Sequence, residues 1–426
     1  MSPRFVLSHP DITTGFVRQA GVGLHRAGWS CDAITHLIDR PNAWWRRALC
    51  AGARLVGIDL DREFRRRTLV DSPWNSIDTF PVWELLRVAS LRARLDRRLS
   101  DMIFQRAINS LERRTCRRLQ AHATHVYAYE FSARATFEAA AQRGIGRIYE
   151  IPSPEYNFVE ELLAREMAMM PELHEPEDAY FARKRIERLA WRQREWELAD
   201  LVIVNSQFTL DTFARAGYDT SKVRVVCYGA PEVAASEVAS TSANRDRALK
   251  CLWAGTFSIR KGAHYLLEAW KLLPRGHQLE LDIYGAWALP DRFRSDLPPS
   301  IRFHGSIPQS ELFQRYREAD MLVFPTLCDG FGMVVTEGFA KGLPVITTDR
   351  AGAADLVRQE ENGLIVAAGN AASLASALDW CQVNRTSVRA MRAAALETAR
   401  RRPWSVYSDE LALAVGQSFG LSTELR

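Results

Sequence analysis

The chain has 426 residues, 47% apolar and 25% charged, with a net charge of +5 from 56 Lys and Arg against 51 Asp and Glu. This composition excludes a disordered or collagen-like chain, and at roughly 150 residues per domain the length predicts two or three domains. No apolar run approaches the ~18 residues that cross a bilayer, and the opening residues 1–10 have too short an apolar core for a signal peptide.

In chain order, Arg4–Ser8 reads as a strand, Thr13-Thr14-Gly15 as a turn and Phe16–Arg26 as a helix ending at Gly28. This is the opening of a βαβ unit, although no G-x-G-x-x-G is present. Residues 40–120 read as helical and basic. From Arg40 to Arg118 there are eighteen Arg, no Lys and nine acids, so this segment carries +9 and the rest of the chain −4. Trp44, Trp45, Trp74 and Trp83 interleave with the arginines. That mixture suits a helix lying on an anionic membrane; a solvated helix face explains it equally, and both readings stand. The sole Asp-x-Asp, Asp59-Leu60-Asp61, falls here and reads as surface charge.

Strand-like segments follow at His125–Tyr129, Arg147–Ile151, Leu201–Asn205 and Val223–Cys227, separated by helices of which Asp178–Leu198 is the longest. Residues 233–247 are rich in Ala, Ser, Thr and Glu and read as a linker. The rhythm then restarts. Strands are expected at Leu249–Trp253, Leu279–Tyr284, Ile301–Phe303, Met321–Phe324, Pro344–Thr347 and Gly363–Val366. Helices are expected at Ala263–Leu272, Glu311–Glu318, Val334–Lys341 and Ala353–Arg358, with a last one near Ser405–Val415. Alternating strands and helices predict parallel sheets covered on both faces. The expected organisation is two doubly wound α/β domains, 1–232 and 248–402. The seven cysteines form no Cys-x-x-Cys pair and the nine His show no metal-ligand spacing, which fits a cytoplasmic protein without a zinc site.

The densest chemistry is Pro325-Thr-Leu-Cys-Asp-Gly-Phe-Gly-Met-Val-Val-Thr-Glu337. A buried strand ends at Phe324, and the loop after it presents Asp329, Gly330, Phe331 and Gly332 before the helix expected at Val334–Lys341. Open α/β sheets bind ligands at the carboxyl ends of their strands. The glycines let backbone amides approach a ligand, and a helix N-terminus favours phosphate. Glu337, a turn further on, is placed to accept from sugar hydroxyls. A second cluster, Gly255-Thr256-Phe-Ser-Ile-Arg260-Lys261-Gly262, sets two cations beside another helix start, where they can stabilise a departing phosphate. Taken singly, either cluster also reads as an ordinary turn with surface charge.

Together they resemble the donor domain of glycosyltransferase family 4, a GT-B group. The resemblance runs through Gly255, Lys261-Gly262, Leu266-Leu267, Ala269, Tyr284-Gly285, His304-Gly305, Ala319-Asp320, Asp329 to Glu337, Gly342-x-Pro344-Val345 and Asn362-Gly363-Leu364. The first half matches more loosely at Gly15, Leu24, Gly28, Ala199-Asp200, Ser206, Tyr228-Gly229 and Pro403-Trp404.

The resemblance implies a GT-B fold, with the helix in 403–426 returning to the first domain. It implies a retaining transfer of a hexose-type sugar from a nucleotide-sugar to a glycan or polyprenyl-linked acceptor, as in bacterial surface-polysaccharide assembly, peripheral to the inner membrane face. Glu337 would hold the ribose. Amides of Gly330, Phe331, Gly332 and Met333, with Gly255, Thr256 and Gly285, would line the donor. Asp329 would orient the sugar, and Arg260 and Lys261 would neutralise the leaving diphosphate, so no cofactor or metal is expected.

Three departures qualify this. Asp329 replaces the family's first Glu, Thr256 stands where many relatives have Arg, and Tyr149–Tyr156 lacks the family's His. Gly15, Glu155 and Tyr156 are the acceptor-side candidates. A degenerate GT-B protein that binds without transfer is the main alternative. An epimerase conflicts with the Lys261 to Glu337 pattern. Nucleic-acid binding lacks any recognisable module.

Overall fold

The computed structural model describes residues 3–55, 60–65, 67–69, 72–92, 95–119, 122–173, 178–234 and 247–423. Most of the expected linker, and Asp59 of the Asp-x-Asp, lie outside the described residues.

Two parallel sheets organise the chain. The first contains β1 Arg4–Ser8, β2 Ser30–Thr35, β3 Ser76–Thr79, β4 His125–Tyr129, β5 Gly146–Ile151, β6 Leu201–Val204 and β7 Val223–Val225. Its order is β3-β2-β1-β4-β5-β6-β7. The second domain contributes β8 Leu249–Ala254, β9 Phe257–Ser258, β10 Leu279–Tyr284, β11 Trp287–Ala288, β12 Ile301–Gly305, β13 Met321–Phe324, β14 Val345–Thr348 and β15 Gly363–Val366. Here the main sheet runs β12-β10-β8-β13-β14-β15, while β9 and β11 pair separately. Continuous apolar strands such as β6 and β13 are buried along their whole length, as helices on both faces require.

Strand order reverses between β1 and β4 in the first sheet and between β8 and β13 in the second. Those switch points open a crevice at the strands' carboxyl ends. The Gly255–Gly262 loop leaves β8 and the Pro325–Gly332 loop leaves β13, so both predicted clusters flank the second crevice.

The segment expected to be helical from 40 to 120 is helical at Trp44–Leu55, Leu60–Arg65, Val82–Arg92 and Arg97–Arg118. It also contains β3, whose four residues are all half-buried at the sheet edge. Gly352–Leu356 forms a short 3-10 turn where a helix at Ala353–Arg358 was expected. The cause is packing: Ala353 N donates to Phe331 O at 2.6 Å, and a Cβ on Gly352 would come within 2.0 Å of Gly330 O.

The last helix, Trp404–Phe419, lies against the first-domain helix Gly15–Arg26. A Cβ on Gly23 would meet Ser408 O at 2.4 Å, and Arg26 pairs with Asp409 at 2.8 Å. Two chain segments therefore pass between domains, and they touch. Ala230 bridges Pro403 in parallel, and Arg402 Nη2 donates to Cys227 O at 2.5 Å. Beside them the buried Glu150 carboxylate accepts from Tyr127 at 2.6 Å, Tyr228 at 2.9 Å and Tyr407 at 3.3 Å. Burial pushes this carboxyl up to about 7, against the phenols that favour its charged form.

Candidate active site

Glycines let the site's loops pack backbone to backbone. Gly255 follows β8 at φ +106, and a Cβ on Gly285, itself at φ +145, would lie 1.9 Å from Gly255 O. Gly262 has φ +74, and a Cβ there would lie 1.9 Å from Pro325 O. The loops after β8 and β13 are thus in contact. Arg260 O accepts from Leu327 N at 2.9 Å and from Thr326 Oγ1 at 3.2 Å, and Arg260 Nη1 donates to Cys328 O at 3.0 Å.

Across this seam Lys261 Nζ pairs with the Asp329 carboxylate, and the ammonium sits 5.0 Å above the Phe324 ring. Burial, then the neighbouring Arg260 guanidinium, pull Lys261 down from the usual lysine range. Thr256 is exposed beside them.

The loop after β13 is braced from both domains. Asp329 N donates to Arg350 O at 3.0 Å. Gly330 O accepts from first-domain Ser206 Oγ at 2.5 Å and Thr209 Oγ1 at 3.2 Å. Gly332, at φ +90, starts the helix Met333–Phe339, and the amides ahead of the Val335 N bond to Gly332 O at 2.9 Å precede the intrahelical ladder. The Phe331 ring is buried against Tyr228, with centroids 5.3 Å apart. Only its backbone is placed for a ligand.

Glu337 Oε1 accepts from Gln309 Nε2 at 3.2 Å, and its Oε2 accepts from the Tyr316 hydroxyl at 3.4 Å. Burial pushes the carboxyl up to about 7, and the two donors oppose that shift. Neither Gln309 nor Tyr316 was a sequence candidate.

The first-domain candidates divide. Gly15 lies exposed at the start of its helix. Tyr156 is half-buried with the Arg192 guanidinium 4.2 Å from its ring centroid. Glu155 is 2% exposed, and its carboxylate caps the helix Tyr156–Met169 by accepting from Phe158 N at 2.6 Å. That bond gives Glu155 a capping role in addition to the acceptor-side contact expected of it.

A histidine does stand at the first sheet's carboxyl edge, directly after β1. His9 Nδ1 accepts from Asp11 N at 2.9 Å, and the ring meets Tyr129 edge-on at 4.6 Å. Burial lowers its pKa to about 4, leaving a neutral imidazole. Its position at a strand end was the available signal. Among the described residues no three His, Cys, Asp or Glu groups converge on a metal-sized site.

Residues 248–382 match the model of the family described as glycosyl transferases group 1. The chain is 28% identical over 244 residues to D-inositol 3-phosphate glycosyltransferase of Corynebacterium efficiens, covering 50% of this chain and 55% of that protein. It spans about a third to about half the length of the first curated relatives it matches. Sucrose-phosphate synthase from Thermosynechococcus elongatus superposes with a TM-score of 0.67 at 20% identity, covering 99% of this chain and 100% of that one. Anabaena HepE in complex with UDP-glucose does so at 0.60 and 14% identity, over 98% and 100%. The architecture is GT-B, as the resemblance implied, and its second domain is of the glycosyl transferases group 1 type.

Proposed function

We propose that this protein is a glycosyltransferase that moves a hexose-type sugar, with retention, from a nucleotide-sugar to a hydroxyl of a glycan or lipid-linked oligosaccharide. The observation that carries this reading is the convergence of Lys261, Arg260, Asp329 and the Gly330–Met333 backbone at the β8/β13 switch point. The neighbour that holds UDP-glucose supports a uridine diphosphate sugar as the first donor to test.

In this reading the ionised Glu337 carboxylate accepts from the ribose hydroxyls, oriented by Gln309 and Tyr316. Amides of Gly330 to Met333 contact the diphosphate and sugar. Charge that develops on the leaving diphosphate is neutralised by Lys261 and Arg260, and Asp329, released from Lys261, orients the sugar hydroxyls. The acceptor hydroxyl loses its proton to the leaving phosphate. These groups would suffice for transfer without a metal.

The basic segment supports an anionic membrane surface as the place of work. Trp44, Leu49, Val82, Leu86, Leu95 and Leu99 are exposed within it, Trp44 at 80%, and no described helix is long and apolar enough to cross a membrane. A binding protein without transfer activity is the second reading, favoured by the direct closure of Lys261 on Asp329.

Thermal shift across a panel of nucleotide-sugars tests donor binding, because a ligand of the folded state raises its stability. Donor turnover then separates the two readings. A panel in which no nucleotide-sugar moves the midpoint would defeat both. Cosedimentation with phosphatidylglycerol vesicles at low salt tests the membrane claim, and failure to sediment would remove it.

A further inference from the structure

A cavity of about 410 Å³ lies in the first domain between the helices Arg97–Arg118 and Asp178–Leu198. Nothing in the donor site uses it. Its floor is aromatic: Phe131 and Trp191 are both under a tenth exposed, with ring centroids 5.3 Å apart.

Phe131 is also held in the left-handed region at φ +65, which a bulky side chain adopts at an energetic cost. The buried Glu195 carboxylate fixes it there. Glu195 accepts from Phe131 N at 2.8 Å, Ala133 N at 2.7 Å, Tyr149 Oη at 2.6 Å and Trp191 Nε1 at 3.0 Å. One carboxylate thus holds both floor residues and the strained turn.

The walls are polar and carry surplus positive charge. Asp101 is already engaged by Arg188 and by the Tyr180 hydroxyl at 3.1 Å, and Lys184 pairs with Glu187 at 2.8 Å. Gln105, Arg106, Asn109 and Arg113 line the cavity from a single stripe of the other helix. Arg106 and Arg113 are exposed, and Arg113 Nε donates to the neutral Asn109 carbonyl at 3.2 Å. Among the described residues neither has a carboxylate partner at ion-pair distance.

The cavity connects to the loop after β13 through two contacts. Glu130, next to Phe131, accepts from Ser153 Oγ. Pro152 and Ser153 in turn abut Gly330, where a Cβ would lie 2.1 Å from Pro152 O.

We propose that this cavity is an acceptor subsite for a saccharide unit bearing an anionic group, phosphate or carboxylate. The exposed edges of Phe131 and Trp191 would meet the apolar part of the sugar, Gln105 and Asn109 its hydroxyls, and the Arg106 and Arg113 guanidiniums its charge. The word acceptor rests on the glycosyltransferase reading; the binding does not.

The test is calorimetric titration of the full chain with glucose 6-phosphate, glucuronate, glucose and inorganic phosphate. It is run on the wild type and on the double variant Arg106→Glu, Arg113→Glu, both positions being exposed. Glucose 6-phosphate and glucuronate are expected to bind at least about tenfold more tightly than glucose, and the double variant to lose that advantage. Phe131→Ala is expected to weaken both anionic sugars while leaving the nucleotide-sugar thermal shift unchanged. Equal affinity for glucose, or anionic binding that survives the double variant, would overturn the proposal. So would inorganic phosphate binding as tightly as glucose 6-phosphate, which would mark a bare anion site. A wild type that binds the anionic sugars but no nucleotide-sugar would sink the glycosyltransferase reading and leave the subsite standing.

Discussion

Lys261 and Asp329, 68 residues apart in sequence, meet as an ion pair where the loops after β8 and β13 converge. The pair neutralises two charges in a half-buried site and fixes the spacing of the two loops. Under the proposed function, the ammonium would leave the carboxylate for the donor's phosphates.

Lys261→Ala and Asp329→Asn are each expected to lower kcat/KM about 10²-fold, the scale for loss of one preorganised electrostatic contact. The double variant should fall well short of the product of the two, because paired residues act as one unit. Initial rates for the four proteins check this. Full activity in either single variant would remove these residues from the site.

Tyr316 reaches Glu337 with its hydroxyl at 3.4 Å from a ring that is fully buried. That bond favours the charged carboxylate. Tyr316→Phe should therefore raise the Glu337 pKa above its present value of about 7 and shift the pH profile of donor KM upward, with kcat at high pH little changed. An unmoved profile would show that Tyr316 only fills space.

Glu150 supplies a stability test. Burial raises it from the ordinary 4.5 to about 7. Between those values the folded chain keeps a proton that the unfolded chain has released, so stability falls as pH rises through the window. The midpoint of thermal unfolding should drop between about pH 5 and pH 7.5. Glu150→Gln should flatten that slope without abolishing it, because Glu112, Glu195 and Glu337 are also raised to about 7. An identical slope in the variant would contradict the assignment.

Gly262 combines φ +74 with a 1.9 Å approach to Pro325 O for any added Cβ. Gly262→Ala should cost about 1–3 kcal/mol and part the two donor loops. Denaturant melts and the nucleotide-sugar thermal shift should fall together. Unchanged stability and donor response in the variant would show that the close approach at Gly262 does not hold the two loops together.

Much of the second domain was readable because its strands are short apolar runs set between turn residues, as at Met321–Phe324. β3 was not, because Ser76-Ile77-Asp78-Thr79 has one apolar residue and no two-residue period. The glycines and acids of the loops after β8 and β13 stood out in the sequence, and the structure brings the two loops together. Gln309 and Tyr316 did not stand out, since they reach Glu337 from another helix, 28 and 21 residues away. Glu155 carries a readable capping signal of its own. An acid directly before a helix is a good N-cap, and its carboxylate accepts from Phe158 N, three residues on.

The paired crossing at Ala230 and Pro403 sets the mechanics of the cleft. Two tethers clamped side by side behave like a pair of door hinges mounted on one post. Twisting or sliding one half against the other would have to tear Arg402 from Cys227 and Tyr228, whereas a swing about the post leaves those bonds intact. A swing about that post is therefore the expected motion, and it would have to break the Gly330 contacts with Ser206 and Thr209.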